Sequence, residues 1–270
     1  MFRLVLPVVS ILALSTASAS SHELWIEPLA WTIPANGIVA ANLVNGERFG
    51  GNRVSYLPKM IEAFDLYIGT LISPVESRIG NTPALSMKSP QEGLMVVAYH
   101  STPSRLVYDN WEKFEKFTIH KDLGDAAEMQ AARGLTQEKV TEIYTRFSKS
   151  LIGIGAAQGS DLNIGLETEI VALANPYTDD LSGGFPVQLF YQGAVRADAR
   201  IEVFARGPDG VVSDTYVRTD AEGLVTVPVV AGHDYMLDAV VLREPSAELA
   251  AAQDVMWESL WANLTFHVPK

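Results

Sequence analysis

Apolar and polar positions divide the chain into an N-terminal stretch of short strands, a helical middle and a second half rich in strands. His22-Glu23-Leu24-Trp25-Ile26-Glu27-Pro28 has the mixed pattern of a half-buried strand, stopped by its proline. Ile38 to Val44 predicts a second strand, and Ala63 to Ile68 a third with Phe64, Leu66 and Ile68 on one face. Leu94 to Tyr99 is almost wholly apolar, as a buried strand is. Proline and glycine clusters at Ser73-Pro74, Gly80 to Pro83 and Ser89 to Gly93 separate these runs.

The middle reads as helical. Asp109 with Glu112 resembles a capping box, and Trp111, Phe114 and Phe117 follow at i, i+3 and i+6. Asp125 to Ala132 predicts a short helix stopped by Gly134. From Thr136, the residues Val140, Ile143, Tyr144, Phe147 and Leu151 form an apolar stripe at helical spacing. Glu138 and Glu142 come early and Arg146 and Lys149 late, as a helix dipole favours, and Gly153-Ile154-Gly155 ends the stretch.

Beyond it, strands are expected at Glu169–Ala174, Val187–Tyr191, Arg200–Ala205, Ser213–Thr219, Leu224–Val229, Asp234–Leu242 and Leu260–Val268. Turn signals such as Gly207-Pro208-Asp209-Gly210 and Asp220-Ala221-Glu222-Gly223 separate them. Short strands at regular spacing imply a β-sandwich. The expected fold is mostly β. A β-rich domain over 20–160 carries a helical insertion at about 109–151, and a transthyretin-like or Ig-like sandwich follows over 161–270.

Residues 1–19 change that division. Arg3, the apolar run Leu4 to Leu14 and the small residues from Ser15 follow the order of a secretory signal peptide. The run is shorter than the roughly 20 residues that span a bilayer, and no later stretch is long and apolar enough. A bacterial periplasm fits best, with secretion as the alternative. The chain carries 32 Asp and Glu against 20 Lys and Arg, a net −12. That surplus argues against nucleic acid as a partner. The absence of cysteine excludes disulfides, thiolate metal sites and a cysteine nucleophile.

Cleavage after Ala19 frees Ser20-Ser21-His22 as the N-terminus. A terminal amine, two backbone amides and a third-position imidazole surround one ion in a square plane, which suits Cu(II) and Ni(II). Cleavage after Ser21 instead leaves His22 first, with its amine and ring able to grip a metal together. Of the other histidines, His100, His120, His233 and His267 lack zinc-site spacing and would join a site only by meeting His22 in space. Glu23 would add an oxygen ligand beside His22, against the simpler reading of a solvated strand face. Trp111, Phe114, Trp257 and Trp261 read as core more readily than as a sugar-stacking platform. Asp179, Asp180, Asp209 and Asp220 read as turn formers. No Gly-x-Ser-x-Gly elbow and no phosphate-cradling Gly-Lys-Ser/Thr loop occurs, and no organic cofactor is expected.

Several segments in order resemble a known family. They are His22 to Pro28, Tyr108-Asp109-Asn110-Trp111-Glu112-Lys113-Phe114, Arg146 to Ile152, Leu173-Ala174-Asn175-Pro176-Tyr177 and Trp257-Glu258-Ser259-Leu260-Trp261 before Asn263-Leu264-Thr265-Phe266. The family is an exported domain of unknown function whose members are described as periplasmic components of cobalt/nickel transport systems, the NikM-like group. Gly184 to Leu242 is also similar to transthyretin-like or carboxypeptidase-regulatory-like sandwiches. The resemblance implies a metal-binding, non-enzymatic protein that handles nickel or cobalt, or copper, beside a membrane transport component, with His22 in the ligand set. Transport subunits of that group carry membrane spans, which this sequence lacks. The alternative function is an envelope interaction or glycan-binding module that uses the sandwich without metal.

Overall fold

The computed structural model describes residues 22–270, so Ser20, Ser21 and the segment expected to be a leader lie outside it. Eighteen strands and three α-helices follow in order. The first strands are β1 (Glu23–Pro28), β2 (Thr32–Ile33), β3 (Ile38–Glu47), β4 (Gly50–Val54), β5 (Ile61–Ile68), β6 (Leu71–Pro74), β7 (Leu85–Lys88), β8 (Gly93–Ser101) and β9 (Ser104–Val107). Helices α1 (Trp111–His120) and α2 (Ala126–Ala132) come next, then β10 (Thr141–Ile154), β11 (Thr168–Ala172), β12 (Phe185–Tyr191) and β13 (Ala194–Val195). β14 (Arg200–Arg206), β15 (Val212–Arg218), β16 (Leu224–Val227), β17 (Asp234–Arg243), α3 (Ala247–Gln253) and β18 (Trp257–His267) complete the order.

The fold is mostly β, and a ten-stranded sheet runs through its middle. Its main path is β15-β14-β17-β18-β10-β8-β5-β6, so strands from both sides of the glycine-rich 155–165 segment share one sheet. β10 and β18 pair in parallel, Glu142 opposite Trp257 through Ser150 opposite Thr265. Side-chain alternation sends neighbouring residues to opposite faces. On β8 and β10 this places Met95, Val97, Tyr99, Ile152 and Ile154 in a core shared with β1, β3 and β7. It places Leu94, Val96 and Leu151 in a second core on the other face, with Ile170, Phe185, Val187 and Leu189 of the β11–β12 sheet. Two smaller sheets thus cover opposite faces of the large one, each over its own half.

The helical expectation for 136–151 is wrong. Thr141 to Ile154 is a 14-residue strand, buried almost throughout. A strand buried on both faces shows apolar residues at both parities, and the stripe from Val140 to Leu151 arises from that rather than from a helix turn. The helical insertion therefore reduces to α1 and α2. Asn110, not Asp109, caps α1: its side chain accepts from the Lys113 amide, while Asp109 pairs with the Lys113 ammonium. Asp125 caps α2 through the Glu128 amide. The turn aspartates behave as expected, with Asp220 Oδ1 accepting from the amides of Glu222 and Leu224 and Asp209 Oδ1 from Val211. No described helix is long and apolar enough to cross a membrane.

The charged residues of β10 are not its solvent face. Lys149 is fully buried, and its Nζ donates to Asp161 Oδ2 and Glu169 Oε1 at 2.9 Å each and to the Leu162 carbonyl at 3.0 Å. Glu169 also accepts the amides of Ile164, Gly165 and Leu166, so the triad anchors that loop on the sheet. Glu142 is buried and accepts from the Tyr108 and Ser259 hydroxyls.

Candidate functional site

β1 lies across the large sheet where that sheet carries small hydroxyl residues. Ser148 Oγ donates to the Leu24 carbonyl at 2.6 Å and Thr265 Oγ1 to the Ile26 carbonyl at 2.8 Å. Leu24 and Ile26 enter the core beside β3, so alternation turns Glu23, Trp25 and Glu27 towards β14 and β17. Trp25 packs there against Phe204 and Met236, and Glu27 Oε1 accepts from Arg206 at 2.9 Å. Glu23 meets two acids that are cross-strand neighbours, Glu202 of β14 opposite Asp238 of β17.

A lysine binds these three carboxylates together. α1 docks through Phe114 stacked on Trp257 and Phe117 stacked on Trp261, which brings its C-terminal end over the sheet. Lys121, the residue that follows the helix, places Nζ 2.8 Å from Glu23 Oε1, 2.5 Å from Glu202 Oε2 and 3.0 Å from Asp238 Oδ2. All four residues are buried. Burial works against the ammonium, but the carboxylates of Asp238, Glu23 and Glu202 outweigh it and hold Lys121 above the usual lysine pKa. Burial likewise pushes the Asp238 carboxyl up, against the pull of Lys121. Lys121 is therefore held in its charged form. His120 adds an imidazole, Nε2 lying 2.8 Å from Glu202 Oε1. Arg146, also buried, stacks over Trp261 at 4.2 Å.

Glu23, Glu202 and Lys121, all buried, and the exposed His120 line a cavity of about 690 Å³. Its walls come from α1 (Lys113, Lys116, Phe117), from β14 and β15 (Arg200, Phe204, Tyr216) and from the end of the β3–β4 hairpin (Glu47, Arg48). Arg48 closes one side by pairing with Asp214. Among the described residues, Glu23, Glu202 and Asp238 are the one group whose ligand atoms converge as a cation site requires, within 4.8 Å of one another.

A family model described as a domain of unknown function, DUF4198, matches residues 19–243, most of the chain. The chain belongs to the DUF4198 family. No curated protein matches it. The DUF4198 match takes in β1, α1, β14 and β17, and with them every residue of the buried cluster.

In this DUF4198 chain His22 lies beside Glu47, a residue that lines the same cavity. Glu23 pairs with Gly46, so continuing the register sets His22 opposite Glu47, and His22 Nε2 lies 3.5 Å from Glu47 Oε1. None of the other four histidines joins His22 in a ligand group among the described residues. His267 Nδ1 contacts Asp234 Oδ1 at 2.8 Å, His233 contacts the Ala231 carbonyl, and His100 lies against the Phe147 ring at 4.5 Å. Glu23 is not a solvated strand residue, being only 4% exposed. Phe114, Trp257 and Trp261 are buried and form no exposed platform. No motif or spacing in the sequence marks Glu202, Asp238 or Lys121 as site residues. The signal available is an acid in the apolar middle of each of two strands, Ile-Glu-Val-Phe and Met-Leu-Asp-Ala-Val.

His100 gives the first test. Burial holds its imidazole below the ordinary value of 6.5. A base with a depressed folded pKa stabilises the fold above its unfolded pKa, and that contribution is lost as pH falls through the folded pKa. Between about pH 7 and pH 5, the Tm of the native protein should therefore fall more than that of His100→Phe. Parallel Tm curves would remove His100 from the acid response.

Proposed function

We propose that the protein is an exported, periplasmic metal-handling protein. It takes nickel or cobalt first and copper next, and serves uptake beside a membrane transport component. It acts by binding and not by catalysis. Ligation centres on the freed N-terminus, through the Ser20 amine, the backbone amides of Ser21 and His22, and the His22 imidazole. The observation that carries the reading is the position of His22, partly exposed beside the carboxylate of Glu47, which itself lines the cavity. An imidazole next to a carboxylate is the usual setting of a histidine that binds metal. The likeness to NikM-like transport components supports nickel and cobalt, and the likeness of the second half to transthyretin-like sandwiches supports a rigid carrier scaffold.

The test starts from the mature N-terminus, fixed by mass spectrometry. Ni(II), Co(II) and Cu(II) are then titrated into native protein and His22→Ala. Loss of a direct ligand should weaken binding on the order of 100-fold, since even outer-shell partners contribute about 10–100-fold. Binding should also weaken as pH falls, because the nitrogens must shed protons to coordinate. Equal affinities for the two proteins would overturn the reading.

A further inference from the structure

We propose that Glu23, Glu202 and Asp238 form a second, internal cation site, in which Lys121 holds the place that a divalent transition-metal ion takes by exchange. The three carboxylates surround the ammonium at 2.5–3.0 Å, as they would surround an ion. Metal–oxygen distances are shorter, about 2.0–2.2 Å, so exchange draws the carboxylates inward by less than an ångström. The Lys121 ammonium and, farther off, the Arg146 guanidinium face three carboxylates, which leaves one negative charge over. A divalent ion balances the site better than Lys121 does.

A separate observation points to a missing ligand sphere. Glu23 Oε2 and Asp238 Oδ1 are buried without hydrogen-bond partners. Asn263 stands opposite Asp238 in the sheet, is 3% exposed, and has neither amide atom partnered. Buried polar atoms are almost always satisfied, so three unsatisfied groups side by side mark a place built around another atom. His120 supplies a nitrogen donor from Glu202 at 2.8 Å. It is adjacent to Lys121, so the same end of α1 withdraws the ammonium and brings in the imidazole. Glu23, Glu202 and His120 all line the cavity, which gives the ion a route from solvent. Oxygen donors with one imidazole suit Mn(II), Co(II), Ni(II) or Zn(II) rather than a soft ion.

This site extends the metal-handling reading inward but shares no ligand with the N-terminus, so His22→Ala serves as the background. Co(II) binding to His22→Ala is compared with His22→Ala/Lys121→Gln by titration calorimetry and by Tm. Removing the competing ammonium should tighten binding at least tenfold at one site per chain. Co(II) should also restore the Tm that Lys121→Gln lowers, and adding Glu202→Gln should abolish both effects. A folded double variant without Co(II) uptake, or with uptake indifferent to Glu202→Gln, overturns the proposal. Where the double variant does not fold, His22→Ala decides alone. Its Tm must rise with Co(II) concentration and lose that response with Asp238→Asn, and a Tm flat in Co(II) overturns the site. The N-terminal reading fails separately, through equal binding by native protein and His22→Ala.

Discussion

Lys149→Met should destabilise the protein by about 3–5 kcal/mol, the range for removing one partner of a buried ion pair. Lys149 is the cation between Asp161 and Glu169, and all three side chains are essentially inaccessible. Methionine fills much of the volume but leaves two carboxylates buried without a counter-charge. Those carboxylates still accept amides from the 161–172 segment, so the loss reports the charge and not the loop contacts. Urea unfolding of the two proteins measures it. Lys149→Met/Asp161→Asn/Glu169→Gln should recover a large part of the loss, because it removes the charges left behind. A cost below about 1 kcal/mol for Lys149→Met would mean that the triad contributes no more than an exposed pair.

Phe266→Ala should be of the same size, about 3–5 kcal/mol, through a different cause. Phe266 is fully buried in β18 and stacks on Phe185 of the covering sheet at 4.0 Å and on Tyr235 of β17 at 5.2 Å. It therefore joins the two layers of the second sandwich. Its removal forfeits ring contacts on both sides and opens a cavity that stiff strands close only in part. Against a total stability of about 5–15 kcal/mol, either change alone removes a large share. Phe266→Leu, which keeps most of the volume, should lose less than half as much in the same urea experiment.

The strands with one buried face were legible in the sequence, because alternation reports burial directly. Ile61–Ile68 carries Phe64, Leu66 and Ile68 inward. The strands of the second half also fall where turn residues bound them. β10 was not legible. Glu142 early and Arg146 and Lys149 late match the charge order of a helix dipole, whereas all three are buried in a strand. Hydroxyl donors, an aromatic ring and two carboxylates face them, and of these Ser259 and Trp261 come from the far end of the chain. The candidate site was half legible for the same reason. His22 shows itself by its place near the start of the chain. Lys121 finds Glu23, Glu202 and Asp238 across 98, 81 and 117 residues of sequence, and only the completed sheet sets them side by side.

β18 sits between β10 and β17 in the large sheet and follows both in the sequence. In a chain that emerges N-terminus first, the middle of the sheet thus arrives after its flanks. Until residues 257–267 emerge, β10 and β17 each expose a long edge with nothing to pair, the kind of edge that recruits other chains. Lys121 is not set over its carboxylates before then, since α1, which it follows, docks on Trp257 and Trp261 of β18. Production of this protein therefore ends with its keystone. A stop codon or a tag placed just ahead of Trp257 should yield aggregate, not a smaller working domain.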